Sequence, residues 1–283
     1  MFANQLISAE ELDKLPDSDN ICIVDCRFDL ADPAAGRRSY DSAHIPGAVF
    51  LDLNKDLASV QTASSGRHPL PEPAILEQTL GRLGIDNETR VVVYDASNGA
   101  MAARAWWMLR WLGHDNVCLL DGGLARWSQR FALSAVQSPV RPRTFKAQER
   151  PEILITSAEI VAADDVAALN LIDARDAARF RGEHEPIDPV AGHIPGARNL
   201  PFVESLTADG VWKSALELEA LWTDCLGQNK ATPWVAMCGS GVTACHLAIS
   251  ALQAGYQQPR LYVGSWSEWI ADSSRPIAVG EGN

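Results

Sequence analysis

No stretch of this sequence stays apolar for the roughly 20 residues that a bilayer-spanning helix requires, which argues against a membrane protein. Positive charge is also scarce. The 283 residues carry 24 Lys and Arg against 36 Asp and Glu, a formal charge of −12, and no basic run breaks the pattern. Nonspecific binding to a phosphate backbone is therefore not expected, and nucleic acid is not an expected partner. The six cysteines (Cys22, Cys26, Cys118, Cys225, Cys238 and Cys245) include no Cys-x-x-Cys pair, so neither a disulfide framework nor a zinc site is expected. Residues 1–12 contain Asn4, Gln5, Glu10 and Glu11 and lack both a basic start and an apolar core, so no secretory leader is expected and a cytoplasmic location is. What remains is an ordinary folded composition, 47% hydrophobic and 21% charged, at a length that suits two domains.

The same plan occurs twice. Ile23-Val24-Asp25-Cys26-Arg27 returns as Leu171-Ile172-Asp173-Ala174-Arg175, and His44-Ile45-Pro46-Gly47-Ala48 returns as His193-Ile194-Pro195-Gly196-Ala197. Further on, Val91-Val92-Val93-Tyr94-Asp95 matches Trp234-Val235-Ala236-Met237-Cys238, each ahead of a long apolar helix, and each half ends in Gly-x-x-x-x-Trp (Gly122 to Trp127, Gly264 to Trp269). Four landmarks in one order, offset by 142 to 149 residues, mark a duplicated domain rather than a solenoid. Residues 137–151 hold Pro139, Pro142 and Pro151 without apolar periodicity, so the expected division is a first domain at 1–140, a linker at 141–151 and a second domain at 152–283.

Within each half, apolar β-branched runs (22–25, 90–94 and 116–120, then 170–173, 233–237 and 260–263) alternate with helical stretches such as 100–112 and 242–254. Continuous buried strands alternating with helices predict an α/β fold: two tandem domains, each a parallel sheet covered by helices on both faces. Chemistry in such folds belongs at the carboxyl ends of the strands. Cys238 sits at one of them and opens Cys238-Gly239-Ser240-Gly241-Val242-Thr243, after which 244–254 reads as a helix closed by Gly255. Two glycines let the backbone turn sharply and aim N–H groups inward, while the helix presents its positive end to the same spot. Such a cradle favours an anion, including the thiolate form of cysteine that attacks sulfur.

With these residues in view, the chain from about residue 6 to 269 resembles the tandem-domain sulfurtransferases of the rhodanese family, which share Asp-x-Arg and His-Ile-Pro-Gly-Ala in both halves and a Cys-centred six-residue loop only in the second. The resemblance implies that the first copy, with Asp95 in place of the cysteine, serves structure and substrate binding. It also implies a two-step reaction. Cys238 takes sulfur from a small anionic donor as a persulfide and passes it to a thiol, cyanide or protein acceptor, with no metal or organic cofactor. The loop is similar to that of the 3-mercaptopyruvate sulfurtransferase branch, since thiosulfate-preferring members tend to carry cations where Gly239 and Ser240 stand here. Gly239, Gly241, Val242 and Thr243 then line the donor site, and Arg179 matches an arginine that the branch uses on the donor carboxylate.

Two departures are visible. The branch's second carboxylate-binding arginine falls, with a two-residue deletion, at Ile187 or Asp188 of Glu185-Pro186-Ile187-Asp188-Pro189. His68 in His68-Pro69-Leu70-Pro71 resembles the histidine that handles protons with the cysteine and with Ser240, yet its supporting acid aligns with Asn54, flanked by Asp52 and Asp56. Asp25, Arg27, Asp173, Arg175, His44 and His193 occur in both copies and are expected to be structural. Trp106, Trp107 and Trp111 lie at helical spacing and are expected in the core. Cys245 lies too far along its helix for a direct role, and His246 is expected to be an ordinary polar helix position. A cysteine phosphatase needs an arginine six positions after the cysteine, where this sequence has Ala244. A thiosulfate-preferring sulfurtransferase and a noncatalytic persulfide-carrying module are the remaining alternatives.

Overall fold

The computed structural model describes residues 4–16 and 20–282. The first three positions of the stretch read above as lacking a leader lie outside the described residues. Two compact units are formed, and they exchange short segments. The first gathers residues up to Ser59, Leu70–Arg150 and Thr207–Trp212; the second gathers Val60–Pro69, Pro151–Leu206 and Lys213 onward.

The first unit runs β1 (Leu6–Ile7), α1 (Ala9–Asp13), β2 (Ile21–Asp25), α2 (Ala35–Ser42), β3 (Val49–Phe50), α3 (Pro73–Arg82), β4 (Arg90–Tyr94), α4 (Ala102–Trp111), β5 (Val117–Leu120) and α5 (Gly123–Trp127). Its strands form one parallel sheet in the order β1-β5-β4-β2-β3. Side chains alternate across a strand, so a valine run survives only where both faces are covered. Val92 and Tyr94 join one core with Leu12, Tyr40 and Trp127, while Val91 and Val93 are equally buried on the opposite face. Trp106, Trp107 and Trp111 are buried on α4, as their spacing predicts.

The second unit runs α6 (Ser157–Val161), β6 (Leu171–Asp173), α7 (Ala177–Phe180), β7 (Arg198–Asn199), α8 (Ala215–Leu226), β8 (Val235–Met237), α9 (Thr243–Gln253), β9 (Arg260–Leu261) and α10 (Ser265–Trp269). Its parallel sheet is ordered β7-β6-β8-β9, and a single parallel bridge from Leu154 to Leu261 stands where β1 pairs with β5 in the first unit. The same winding is thus built twice. A further repeated landmark is the helix start: Ser8 with Glu11 and Thr156 with Glu159 form reciprocal capping boxes on α1 and α6.

The repeated Asp-x-Arg motif closes the carboxyl end of β2 and of β6. Asp25 receives Arg27 Nε at 3.0 and 2.9 Å and Nη2 at 2.7 Å, and Asp173 receives Arg175 at 3.1, 2.9 and 2.7 Å. Each arginine also donates to a carbonyl ahead of the His-Ile-Pro-Gly turn, Ala43 in one copy and Gly192 in the other, both at 2.7 Å. The turn histidines are stacked on aromatic rings, His44 on Tyr40 at 4.2 Å and His193 on Phe180 at 3.8 Å. These residues therefore tie strand ends to turns. Removing one partner strands a buried charge, so Asp25→Ala and Asp173→Ala should each lower unfolding free energy by about 3–5 kcal/mol in denaturant titrations. A loss under about 1 kcal/mol would remove the pair from its anchoring role.

Candidate active site

Strand register equates the two site loops residue by residue. Asp25 pairs with Tyr94 across the first sheet, and Asp173 pairs with Met237 across the second, so Asp95 and Cys238 are the first residues beyond equivalent strands. Cys238 is 1% exposed. Its N–H donates to Ser265 Oγ at 3.0 Å, and its carbonyl accepts from Trp266 N–H at 3.0 Å. Gly241 turns the loop with φ 71°, and a Cβ there would stand 2.4 Å from the Val263 carbonyl oxygen, so only glycine fits. Val242, at the N-cap of α9, has no side-chain acceptor with which to satisfy the first N–H groups of the helix.

The corresponding loop of the first unit shows what such a turn holds. The Asp95 carboxylate accepts from the N–H groups of Ser97 (3.1 Å), Gly99 (3.0 Å), Met101 (2.8 Å) and Ala102 (3.2 Å), and so caps α4 from within its own loop. Burial still raises the Asp95 carboxyl above the usual range, outweighing those four bonds. In the second unit a sulfur atom takes the place of that built-in carboxylate.

Two side chains that reach the Cys238 loop come from the segment 60–69, which belongs to the second unit although it lies in the first half of the sequence. A Cβ at Gly66 would meet the Gly264 carbonyl oxygen at 2.5 Å, and Arg67 N–H donates to Ser267 Oγ at 3.0 Å. This close docking seats buried His68 with Nδ1 2.8 Å from Ser240 Oγ, a hydrogen bond whose direction follows the imidazole tautomer. In the first unit, Asp52 accepts from the N–H groups of Asn54 (2.9 Å) and Lys55 (3.1 Å), and Asp56 accepts from Asp52 N–H (2.9 Å), so both flanking acids serve a local turn.

Arg179 lies beside the loop but inside an ion-pair network. Its Nε donates to both Glu185 oxygens at 3.0 Å and its Nη2 to Asp188 Oδ2 at 3.1 Å. Hydrogen bonds from Arg179 and from the Asp188 and Ile187 N–H groups hold the Glu185 carboxyl below its usual value despite burial. Asp188, which stands where the second family arginine was sought, also binds Arg67. The sequence offered a signal for both residues, since Arg67 precedes His68 directly and the Glu185-to-Pro189 deletion exposes Asp188; neither was read as part of the site. Ser265 was missed as well. It holds φ 53°, uncommon for a side-chain-bearing residue, where the first copy has Gly123 at φ 54°.

The remaining cysteines are of another kind. Burial pushes the Cys22 thiol up to about 12 and Cys225 to about 11, and lifts Cys26 and Cys118 well above the ordinary thiol value. The Cys245 thiol donates to the Gly241 carbonyl at 3.3 Å. His246 departs from expectation: it is buried, edge-on to Phe202 at 5.1 Å, because the face of α9 that carries it is covered. Among the described residues, no cluster of three or more His, Cys, Asp or Glu side chains is placed to hold a metal ion. No helix among them is long and apolar enough to cross a membrane.

The chain belongs to the rhodanese family: the model of the rhodanese-like domain matches it twice, at residues 8–130 and 157–272. It is a sulfurtransferase with two tandem rhodanese-like domains. It is 47% identical over 284 aligned positions to a probable 3-mercaptopyruvate sulfurtransferase of Pseudomonas aeruginosa, covering 99% of this chain and 100% of that one. It is 40% identical over 280 positions to a putative thiosulfate sulfurtransferase, SseB, of Mycobacterium tuberculosis, covering 97% of both. SseA of Escherichia coli, solved as a 3-mercaptopyruvate sulfotransferase, superposes with a TM-score of 0.81 at 32% identity over 94% of this chain and all of its own. A sulfur donor and a sulfur acceptor are therefore its substrates.

The Asp95 loop makes a pH-dependent prediction. Its folded carboxyl titrates above the unfolded value of about 3.9, so its contribution to stability is fully present below that pH and declines as pH rises through the folded value. Asp95→Asn removes this dependence. The melting temperature of the wild type relative to Asp95→Asn should fall as pH rises from about 4, and a difference independent of pH would contradict the assignment.

Proposed function

We propose that this enzyme moves sulfur from the thiol of 3-mercaptopyruvate to a thiol, cyanide or protein acceptor, carrying it as the sulfane sulfur of a persulfide on Cys238. The observation that carries the reading is the loop pair: Asp95 is wrapped by four N–H groups in one copy, and Cys238 starts the equivalent turn in the other. In the first half-reaction the Cys238 thiolate attacks the donor sulfur and the carbon–sulfur bond breaks. Its electron pair leaves as the pyruvate enolate, and the proton of the donor thiol ends on the pyruvate methyl carbon. Ser240 and His68, 2.8 Å apart, carry that proton. Backbone N–H groups of the turn formed by Gly239, Gly241, Val242 and Thr243 hold the anionic persulfide. Arg179 holds the donor carboxylate. In the second half-reaction an acceptor thiolate takes the outer sulfur and the Cys238 thiolate returns, so the cycle needs no redox cofactor.

Thiosulfate is the second donor reading. The guanidinium groups beside Gly239 favour it, because they supply from outside the loop the positive charge that a doubly charged donor needs. Six free thiols support a reducing, cytoplasmic setting, and Pro142 and Pro151 support a linker at 141–151, whose residues up to Arg150 are gathered with the first unit.

Cys238→Ser should abolish transfer, whereas Cys22→Ser and Cys118→Ser should keep most of it. Donor alone should add about 32 Da, one sulfur atom, to the peptide holding Cys238. Retained transfer in Cys238→Ser, seen in steady-state assays, would sink the mechanism. Arg179→Ala should reduce kcat/KM for mercaptopyruvate by roughly 10- to 150-fold, the worth of one charged hydrogen bond, and reduce it much less for thiosulfate. Equal losses would make Arg179 a general anion guide.

A further inference from the structure

The donor reading leaves a chemical gap: a carboxylate beside the thiolate is held by one arginine where the branch uses two. The region that should carry the second one ends in an acid, Asp188. That acid is not idle. Asp188 is buried, and its two oxygens are divided between two guanidinium groups, Oδ1 to Arg67 Nη1 at 2.5 Å and Oδ2 to Arg179 Nη2 at 3.1 Å. A carboxylate thus spans two arginines, the geometry suited to two planar donors side by side.

Both guanidinium groups also lie against the Cys238 loop. A Cβ built on Gly239, the residue after Cys238, would stand 3.2 Å from Arg67 Nη2 and 3.7 and 3.8 Å from Arg179 Nη2 and Nη1. Gly239 does not have the positive φ that would by itself demand glycine, so what its missing side chain leaves room for is the arginine pair. Arg67 is held on three sides: by its N–H to Ser267 Oγ at 3.0 Å, by Asp188, and by the close packing of Gly66 against Gly264. Its side chain remains 23% exposed, and its buried Nε has no hydrogen-bond partner among the described residues. Donor capacity therefore remains after the structural bonds are made.

We propose that Arg67 is the second donor-binding arginine: with Arg179 it forms a paired-guanidinium site beside Gly239 for the donor's carboxylate, and Asp188 is the positioning residue that holds the pair together. The cation lost from the second half of the sequence is supplied by the segment 60–69 of the first half. This rests on the reading of Cys238 as the sulfur-accepting thiol and of the donor as an anion.

The test reads the charge near Cys238 without sulfur transfer. Alkylation rates at Cys238 are measured by peptide mass spectrometry with iodoacetate, which carries a carboxylate, and with neutral iodoacetamide, on wild type, Arg67→Gln and Arg67→Lys. Glutamine can still donate to Asp188, so the variant loses charge without stranding that acid. The iodoacetate-to-iodoacetamide rate ratio should fall about tenfold in Arg67→Gln and stay within about threefold of wild type in Arg67→Lys. The KM for mercaptopyruvate should rise by a similar factor in Arg67→Gln, with kcat changed less. An unchanged ratio, or an iodoacetamide rate that falls in step with the iodoacetate rate, would overturn the proposal by making Arg67 a structural residue. The ratio decides Arg67 whichever sulfur donor the wild type prefers, so a failed donor reading and a failed Arg67 assignment are told apart.

Discussion

A buried charge must be met by an opposite one, and in the second unit that requirement runs unbroken from the sheet to the Cys238 loop. Asp173 at the end of β6 holds Arg175; Arg175 reaches Glu185 at 3.6 Å; Glu185 binds Arg179; Arg179 and Arg67 share Asp188. Signs alternate at every step, and each group is wholly or mostly withdrawn from water, where an unpaired charge costs several kcal/mol. Arg175 also lies over the Trp266 ring at 4.7 Å, and Trp266 N–H fixes the Cys238 carbonyl. The Cys238 loop, the cations near it and the carboxyl end of β6 are thereby set by one network rather than by separate contacts.

The two copies show how a duplicated fold divides labour at a single position. The turn after the central strand must satisfy converging N–H groups, and a carboxylate of its own does so in the first copy. That solution closes the turn, because Asp95 occupies the N–H groups to which an incoming anion would have to bind. Exchange of the carboxylate for a thiol removes that built-in acceptor from the equivalent turn. The loop lengths differ accordingly: helix α4 starts at Ala102, seven residues beyond Asp95, whereas α9 starts at Thr243, five beyond Cys238.

Much of this was legible in the sequence because the relevant constraints are local. Valine runs, Asp-x-Arg repeats and the Gly-Ser-Gly turn each act within a few residues, so strands β2, β4, β5, β6, β8 and β9 and the position of Cys238 could be read directly. The edge strands β1, β3 and β7 have only two residues each, too few for a pattern. Arg67 and Asp188 each left a local sign in the sequence, but their pairing did not. They lie 121 positions apart, and nothing in a linear reading pairs an arginine before a loop histidine with an acid in a deletion. His246 misled because a single polar residue on an apolar helix carries no sign of which neighbour will cover it.

The ten residues Val60–Pro69 belong to the compact unit of the other copy, and that unit's Thr207–Trp212 are given in return. A duplication usually leaves a spare that can decay or be lost. Here the copy whose turn carries Asp95 instead of a cysteine holds His68 and Arg67 for the unit that contains Cys238, so its loss would take those residues with it. Neither unit is therefore encoded by one continuous half of the chain: a second half severed from the first would lack Val60–Pro69, and a first half alone would lack Thr207–Trp212.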